Sequence, residues 1–339
     1  MKEINKQNAS KNITIGDIAE ELGLSKTTIS RAISGKGRIG TDTKQKVQEY
    51  IKEHNYKPNV IAKGLAQSKT YNIGVILPAD ANLIEIPFFQ SCLMGICEAA
   101  ASLDYDVVVT TVTEDDITLL KRLIDNQKVD GVVLTRSLVN DMPAKYLKET
   151  GIPVVLIGSN EDETIIQIDS NHIAGCCELT SILLKSGCEQ MALLAGNQNH
   201  NVNRNRCEGF MKAHRDLNRN VDDAMVFKDM NNKLLIHKAV NQIMERGADC
   251  IVCSDDFICS IVLAKLEEEN WSVPEKIKVA SFYNSAGLAS HNPPITALTI
   301  NVKELGITAG QHLIKMISGE IVDHKSLVNY EIVLKRSTN

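Results

Sequence analysis

The sequence predicts an α/β protein with a small helical head that contains a helix-turn-helix, and a larger body built from two lobes of parallel sheet. Three observations lead to this fold class. The head is basic while the remainder is acidic, and a glycine-centred turn joins two short helical segments near the start. After residue 71, eight apolar runs of strand length alternate with amphipathic stretches. A chain of 339 residues is also too long for one ordinary core, which favours several domains.

The charge distribution separates the head from the body. Residues 1–70 contain 13 Lys and Arg against 7 Asp and Glu, whereas the remainder contains 24 against 35. A basic head on an acidic body indicates that the head alone meets a polyanion. The longest apolar runs are strand-sized and the N-terminus has no apolar export segment, so we expect no membrane span and a cytoplasmic protein.

The nine cysteines predict buried, reduced thiols. All of them lie between Cys92 and Cys259, several inside apolar runs. Cys250 and Cys253 form a C-x-x-C, but they lie in a predicted strand and no second Cys or His pair stands at zinc spacing. The pattern therefore predicts no metal, and nothing in the sequence points to a cofactor.

The head begins with two capped helices joined by a tight turn. Thr14 is a suitable N-cap for the first helix, and Asp17 completes a capping-box pattern. Gly23 provides the turn, because glycine adopts positive φ readily. Ser25 caps the second helix, predicted over 26–34. In a helix-turn-helix of this kind, the second helix fits the major groove of DNA.

The second helix presents donor side chains to solvent. Lys26, Thr27, Ser30 and Arg31 face outward, and such side chains can contact base edges and phosphates. A third helix, predicted over about 41–55, closes a small core. The alternative is a plain helical bundle with a polar surface. The caps, the turn glycine, the exposed donors and the charge together favour DNA binding.

The body alternates buried runs with amphipathic helices, which predicts parallel sheets covered on both faces. Ligands of such sheets bind beyond the carboxyl ends of the strands. The segments after the predicted strands are rich in Asn, Arg and Asp, and Phe88 and Phe89 are adjacent aromatics. This mixture suits a polyhydroxylated ligand. Two alternatives remain: one phenylalanine is a core residue, and the asparagine-rich stretch 197–205 is a polar loop. The predicted strands cover 73–77, 107–111, 131–135, 154–157, 191–195, 224–227, 250–253 and 279–282.

From residue 13 to residue 65 the chain resembles the headpiece and hinge of the LacI/GalR family of bacterial transcription regulators. The runs "DIAEELGLSKTTISRAISGKGRIG" and "YKPNVIAKGL" carry the resemblance. It implies that Lys26, Thr27 and Arg31 read bases in the major groove and that Ser34 and Arg38 lie near the DNA backbone. It also implies that a short hinge helix enters the minor groove, where Leu65 wedges between base steps. The predicted DNA-binding residues are Ser25, Lys26, Thr27, Thr28, Ser30, Arg31, Ser34, Arg38, Asn59, Ala62 and Leu65.

The resemblance continues through the body, where "IPFF" and "NRCEGF" match family segments and imply a periplasmic-binding-protein-like architecture. It places Arg206 where a guanidinium holds the effector. Tyr283 stands where the family has Asp, which leaves a simple sugar and a modified or phosphorylated sugar as alternatives. For an anionic ligand, Arg206 and Arg136 would act as clamps. The predicted effector-binding residues are Phe88, Phe89, Arg136, His200, Arg206, Met230, Asp255, Tyr283 and Asn284.

Together these inferences predict a homodimeric transcription regulator of the repressor type that binds a pseudopalindromic operator and a small carbohydrate or sugar phosphate. A periplasmic-type binding protein and a sugar-metabolising enzyme are the alternatives. The sequence contains no Walker A loop, no G-x-S-x-G and no G-x-G-x-x-G after the first strand, so we expect no catalytic site. The predicted parts are a headpiece (1–57), a hinge helix and linker (58–70) and an effector-binding and dimerisation domain (71–339). Within that domain, one lobe is predicted at about 71–160 and 292–320, and the other at about 161–291 and 321–339.

Overall fold

The structure is a computed structural model that describes residues 13–35, 37–54, 56, 60–80 and 87–339. The chain forms two compact units, of which the first ends at Lys69 and the second begins at Thr70. We call the first unit the head and the second the body. None of the helices in the described ranges is both long enough and apolar enough to cross a membrane.

The described part of the head contains four helices, which are α1 (Ile15–Leu22), α2 (Lys26–Ser34), α3 (Thr41–Glu53) and α4 (Val60–Gln67). The predicted capping box is confirmed: the Thr14 side chain accepts from the Asp17 amide, and the Asp17 carboxylate accepts from the Thr14 amide at 2.8 Å. Gly23 has φ +65°, as the tight turn requires. The Ser25 hydroxyl accepts from the Thr28 amide at 3.1 Å and caps α2.

The head has its own small core. Ile18 of α1, Ile29 of α2 and Val47 of α3 are fully buried against one another. The Tyr50 hydroxyl donates to the Glu21 carboxylate at 2.6 Å, which ties α3 to α1. A helix-turn-helix with a third supporting helix is thus the observed fold of this region, as the sequence predicts.

The body is built from strands and helices that alternate along the chain. In chain order the strands are β1 (Asn72–Pro78), β2 (Asp106–Val112), β3 (Gly131–Leu134), β4 (Val154–Ile157), β5 (Ile166–Ser170), β6 (Met191–Leu194), β7 (Val226–Phe227), β8 (Cys250–Cys253), β9 (Lys278–Ser281), β10 (Thr296–Ile300), β11 (Lys325–Val328) and β12 (Tyr330–Val333). The helices are α5 (Pro87–Ser102), α6 (Thr118–Asp125), α7 (Met142–Thr150), α8 (His172–Lys185), α9 (Asn201–Asp216), α10 (Lys233–Glu245), α11 (Asp256–Glu268), α12 (Ala286–Ser290) and α13 (Val302–Ile317).

These strands form two six-stranded sheets, one in each lobe. The first has the order β11-β5-β4-β3-β1-β2 with every neighbouring pair parallel. The second has the order β12-β10-β9-β8-β6-β7 and is parallel except for β12, which runs antiparallel to β10. The central strands β3, β4, β6 and β8 are buried at every position, because helices cover both faces.

The lobe boundaries expected near residues 160 and 292 are wrong for three strands. β5 lies in the first sheet beside β4, although the expected boundary assigns it to the second lobe. β10 pairs with β9 in the second sheet, and β11 pairs with β5 in the first. The chain crosses between lobes after β5, after β10 and between β11 and β12. Strand pairing determines where the chain passes from one lobe to the other, and the local amino-acid composition does not indicate these positions.

Helix α13 returns to the first lobe and packs closely on α5. A Cβ atom added at Gly95 would lie 2.1 Å from the Lys303 carbonyl oxygen, and one added at Gly306 would lie 2.1 Å from the Cys92 carbonyl oxygen. The two glycines therefore allow backbone-to-backbone contact. All nine cysteines are free thiols, and seven of them are buried, which agrees with the reduced, apolar role expected from the sequence.

Candidate functional site

The outer face of α2 presents the polar residues that the sequence singles out. Lys26, Thr27, Ser30 and Arg31 are exposed, while Ile29 on the opposite side is buried in the head core. The exposed and buried residues fall on opposite faces of α2 because residues three and four positions apart share a face of a helix. The head therefore displays one contiguous surface of hydroxyl and cationic side chains.

Ser25 and Thr28 lie at the start of α2 and bond to each other. Their hydroxyl oxygens are 2.8 Å apart, so both side chains help to fix the first turn. Arg38 is exposed in the segment before α3, and Ser34 is the last residue of α2. A contact of any of these residues with DNA stays a prediction.

The hinge stretch contains α4, a helix of eight residues. Ala62 is exposed, and the Leu65 side chain is 85% exposed. A leucine so open to water on a short helix is available to contact another molecule. Asn59, the third predicted contact of this stretch, lies outside the described residues.

A cavity of about 190 Å³ lies between the two lobes of the body. Its walls come from the segments that follow β1, β2, β6, β7 and β8, so it lies at the carboxyl ends of the strands, as the sequence predicts. Three predicted effector residues, His200, Met230 and Asp255, line it. The complete lining is Asp80, Glu114, Gly196, Asn197, His200, Asn203, Met230, Asn231, Asp255, Phe257 and Ile258.

Arg136 is engaged by a carboxylate of its own lobe. Its guanidinium forms an ion pair with Asp80, and its side chain is only 8% exposed. Arg136 does not line the main cavity but borders a much smaller one beside β1 and β3. Asp80 offsets the charge of Arg136, while the buried Arg136 Nη2 has no hydrogen-bond partner. A contact of Arg136 with an effector stays a prediction.

Glu114 reaches from the first lobe to the second. Its Oε1 accepts from Asn197 Nδ2 at 3.0 Å and lies 3.1 Å from His200 Nε2, while its Oε2 accepts from Asn199 Nδ2 at 2.6 Å. Burial and the neighbouring Arg136 lower the pKa of His200, which favours the neutral imidazole. A neutral ring with its proton on Nε2 donates to Glu114.

Asp255 has a structural task at the cavity wall. It is the N-cap of α11, where its Oδ1 accepts from the Ile258 amide at 2.9 Å, and its Oδ2 accepts from the Ser254 hydroxyl at 3.0 Å. These bonds fix the orientation of the carboxylate beside the cavity. The residue is thus positioned by the helix that it caps.

A second group of residues lies beside those that line the cavity, and three of its four members are at most 8% exposed. We call Arg206, Asp256, Tyr283 and Asn284 the inner cluster. Arg206 is one turn after the lining residue Asn203, and Asp256 directly follows Asp255. The inner cluster is not part of the lining itself. Arg206, Tyr283 and Asn284 are predicted effector-binding residues, and Asp256 is not among the predicted residues.

Several buried polar atoms of this region have no hydrogen-bond partner. They are Arg206 Nε, Asp256 Oδ1, Asn284 Oδ1 and the Oδ1 atom of the lining residue Asn203. A buried polar atom without a partner costs free energy, which a ligand or water can recover by bonding to it. Donor and acceptor atoms occur together here, so a hydroxyl group, which both donates and accepts, matches the set.

Tyr283 brings an aromatic ring to the inner cluster. Burial and the nearby Asp256 raise its pKa to about 12, so the phenol stays protonated. Burial and Asp255 also raise the pKa of Asp256. The Phe88 ring meets the Tyr283 ring edge-on at 6.3 Å and the Phe89 ring at 5.2 Å. Phe88 therefore packs as a core residue next to the site.

Sequence reasoning missed Asp80, Glu114 and Asn203 as lining residues. Asp80 and Glu114 follow β1 and β2, so the rule that ligands bind beyond strand ends contained the necessary signal. Asn203 belongs to the asparagine-rich stretch for which a polar loop was the alternative. The described residues contain no group of three or more His, Cys, Asp or Glu that could hold a metal ion.

Two protein families match this chain. The family described as "Periplasmic binding proteins and sugar binding domain of LacI family" matches residues 70–333, and "Bacterial regulatory proteins, lacI family" matches residues 14–59. The HTH-type transcriptional regulator MalR of Staphylococcus xylosus is 29% identical over 333 residues, which cover 96% of this chain and 98% of the relative.

Solved structures show the same fold. The lac repressor dimer bound to operator and the anti-inducer ONPF has a TM-score of 0.78 at 22% identity and covers 97% of this chain and 99% of its own. The complex of the transcriptional regulator CelR with cellobiose has a TM-score of 0.74 at 23% identity and covers 96% and 99%.

Proposed function

This chain belongs to the LacI family of bacterial regulatory proteins, and on that premise we propose that it is a homodimeric repressor controlled by a small neutral carbohydrate. It is a DNA-binding transcription regulator with a sugar-binding domain, and its relatives are transcription regulators and not enzymes. The proposal concerns the sign of regulation, the assembly and the effector.

The observation that carries the effector proposal is the set of unpartnered buried atoms beside the cavity. Arg206 Nε is an unpaired donor, while Asp256 Oδ1 and Asn203 Oδ1 are unpaired acceptors. Adjacent hydroxyl groups of a carbohydrate satisfy both kinds at once. The cavity of about 190 Å³ is smaller than the roughly 300–1,000 Å³ of pockets for drug-sized ligands. A single sugar ring is the class of ligand that this size suits.

Charge favours a neutral sugar over a sugar phosphate. Asp80, Glu114 and Asp255 bring three carboxylates to the cavity wall, and no Lys or Arg lines it. Asp80 holds Arg136, which leaves Arg206 as the cation of the inner cluster. A phosphate dianion entering this cavity would face the Glu114 and Asp255 carboxylates, and no Lys or Arg of the lining offsets their charge. We therefore propose a neutral ligand.

The DNA-binding proposal assigns the exposed face of α2 to the major groove. Lys26, Thr27, Ser30 and Arg31 would contact base edges and phosphates, and Leu65 of α4 would enter the minor groove. One helix-turn-helix reads one half-site, so a two-fold dimer on a pseudopalindromic operator is the expected assembly. The protein would act in the cytoplasm, where its operator is.

Effector control would operate through the hinge. An isolated helix of eight residues is marginally stable in water, so a modest change in the distance between the two hinge helices of a dimer can favour or disfavour their pairing on DNA. A ligand that binds one lobe arrangement more tightly shifts this equilibrium. The DNA-binding family match and the basic, exposed α2 favour this reading over a periplasmic-type binding protein.

Two measurements on the full-length protein test the proposal. The first selects bound sequences from random duplex DNA and measures affinity against salt; a pseudopalindromic site and a steep fall in affinity with salt are expected. The second screens neutral sugars against their phosphates by thermal shift, with neutral sugars expected to raise the melting temperature. Stabilisation by phosphorylated sugars alone would overturn the effector assignment. Selection of a single, non-repeated half-site would overturn the dimer.

A further inference from the structure

Asparagine occupies every second position of the segment that joins β6 to α9 and begins that helix. We call this segment the asparagine run; its members are Asn197, Asn199, Asn201, Asn203 and Asn205. The effector proposal uses Asn203 alone. The other four side chains point to partners in the first lobe, which the contacts below describe.

The first two asparagines and His200 converge on one carboxylate. Asn197 Nδ2 and Asn199 Nδ2 donate to Glu114 at 3.0 and 2.6 Å, and His200 Nε2 lies 3.1 Å from it. Both carboxylate oxygens are therefore engaged by the second lobe. Hydrogen bonds to an ionised group are stronger than neutral ones, which makes this the strongest polar contact between the lobes at the cavity.

The next asparagines extend the contact along the first lobe. Asn201 Nδ2 donates to the carbonyl oxygens of Leu138 at 3.1 Å and Ser159 at 2.9 Å. Asn205 Nδ2 donates to the Ser159 hydroxyl at 2.8 Å. These partners follow β3 and β4, so the asparagine run bonds to three separate strand ends of the first lobe.

Backbone hydrogen bonds join the same two segments. The Val139 amide donates to the Asn199 carbonyl oxygen at 2.9 Å, and the Asn201 amide donates to the Ser137 carbonyl oxygen at 3.3 Å. A β-bridge pairs Leu138 with His200. Side-chain and backbone contacts thus form one continuous seam between the lobes.

Each half of this seam is held in shape by its own lobe. Asn203 Nδ2 donates to the Asn197 carbonyl oxygen at 3.0 Å, and Arg204 Nε donates to the Gln198 carbonyl oxygen at 2.8 Å. On the other side, the Asp116 amide donates to the Thr113 hydroxyl at 3.0 Å, which fixes the turn that presents Glu114. Two preorganised surfaces lose little conformational entropy when they meet.

We infer that Glu114 and the asparagine run form a latch that holds the two lobes closed without an effector. The latch uses protein groups alone, and every polar atom of the Glu114 carboxylate has a partner from the opposite lobe. Glu114 is a positioning residue, since it sets the separation of the lobes on either side of the cavity. The inference goes beyond the proposed function and does not depend on the identity of the effector.

The latch has a consequence for ligand entry. Glu114, Asn197 and His200 all line the cavity, so the latch contacts and a bound ligand share one wall. For a ligand that binds only the form with the latch open, the apparent affinity is reduced by the populated fraction of that form.

Hydrogen exchange in the full-length, ligand-free protein tests the latch directly. The reporters are the amides of Val139 and Asn201, which donate across the seam. The variants are Glu114→Ala, which removes the acceptor, and Glu114→Gln, which retains one acceptor oxygen. Glu208→Ala is the matched control, because Glu208 forms an exposed ion pair with Arg215 within the second lobe. Amides of the buried strand β8 report global unfolding.

Glu114→Ala is expected to speed exchange at both reporters about tenfold or more, since hydrogen bonds to a charged group are lost. Glu114→Gln should fall between Glu114→Ala and the wild type, and Glu208→Ala should match the wild type. If Glu114→Ala also speeds exchange in β8, the variant has lost global stability, and Glu114→Gln provides the test. The latch then predicts that Glu114→Gln speeds exchange at the seam amides more than in β8. Unchanged seam exchange in Glu114→Ala, or fast seam exchange in the wild type, would overturn the latch.

Discussion

The head and the interlobe cleft are built in opposite ways. The exposed polar face of α2 comes from a single helix, and residues 25–31 supply most of it. The cleft draws its walls from five separate strand ends, so Asp80 and Asp255 line the same cavity although they are 175 positions apart in the chain. In the head, chemistry follows from local helix geometry. In the cleft, it follows from long-range packing.

This difference has an energetic side. The polar side chains on the outer face of α2 are exposed to water, where a highly charged molecule can reach them. The cleft instead keeps polar atoms buried, some bonded within the protein, as at Glu114, and some without a partner, as at Arg206. Substitutions on the outer face of α2 should therefore act directly on DNA affinity, and substitutions in the cleft should act directly on ligand affinity and body stability.

The largest expected effect is at Arg206. Arg206→Ala should weaken binding of the best neutral sugar about a hundredfold or more, because it removes a buried charged donor and leaves its ligand partner unpaired. Isothermal titration calorimetry measures the loss. Arg215→Ala is the matched control, since Arg215 is exposed near the far end of the same helix, pairs with Glu208 and should leave sugar affinity unchanged. Equal affinity for the wild type and Arg206→Ala would show that the inner cluster does not hold the ligand.

A smaller effect is expected at Arg31. Arg31→Ala should weaken operator binding about ten- to a hundredfold, the usual range for one specific base contact. Fluorescence anisotropy at fixed salt measures the change, with sugar affinity as the second readout. Lys52→Ala removes the same charge from the exposed end of α3 and should have a much smaller effect. A comparable loss in Lys52→Ala would mean that net charge, and not base contact, controls affinity.

The smallest expected effect is a loss of stability of the body at low pH. Burial lowers the pKa of His200 and of His214, which lies on α9 with 3% exposure. The unfolded chain, with an ordinary His pKa near 6.5, then binds protons that the folded body does not. Stability is complete above about pH 6.5, falls as the pH drops below that value by at most about 1.4 kcal/mol per pH unit for each group, and levels off below the lowered folded pKa.

Urea unfolding followed by the fluorescence of Trp271, the single tryptophan, reports on the second lobe. The free energy of unfolding should be lower near pH 5.5 than near pH 7.5. His214→Gln should reduce this difference, since one of the two imidazoles is removed. A pH-independent free energy in the wild type would contradict the assignment.

The sequence predicted the head almost residue by residue. Thr14, Gly23 and Ser25 act within three or four positions of their own place in the chain, so caps and turns can be read locally. It also predicted that the ligand site lies beyond the strand ends. It did not predict the membership of β5, β10 and β11 in their sheets, because each of these strands adjoins a crossing between lobes and pairs with a distant partner.

Arg136 and the asparagine run show most clearly what the sequence alone could not predict. Arg136 looked available as an anion clamp until the fold placed Asp80, 56 positions away, against it. The asparagine run could equally be a polar loop until Glu114, 83 positions before Asn197, was brought to it. Sequence alone determined the class of the protein, the capped helix-turn-helix and the polar character of the cleft, since these depend on local pattern. Tertiary structure decided which polar groups neutralise each other and which remain for a ligand, because hydrogen bonding depends on partners that only folding brings within 3 Å or so.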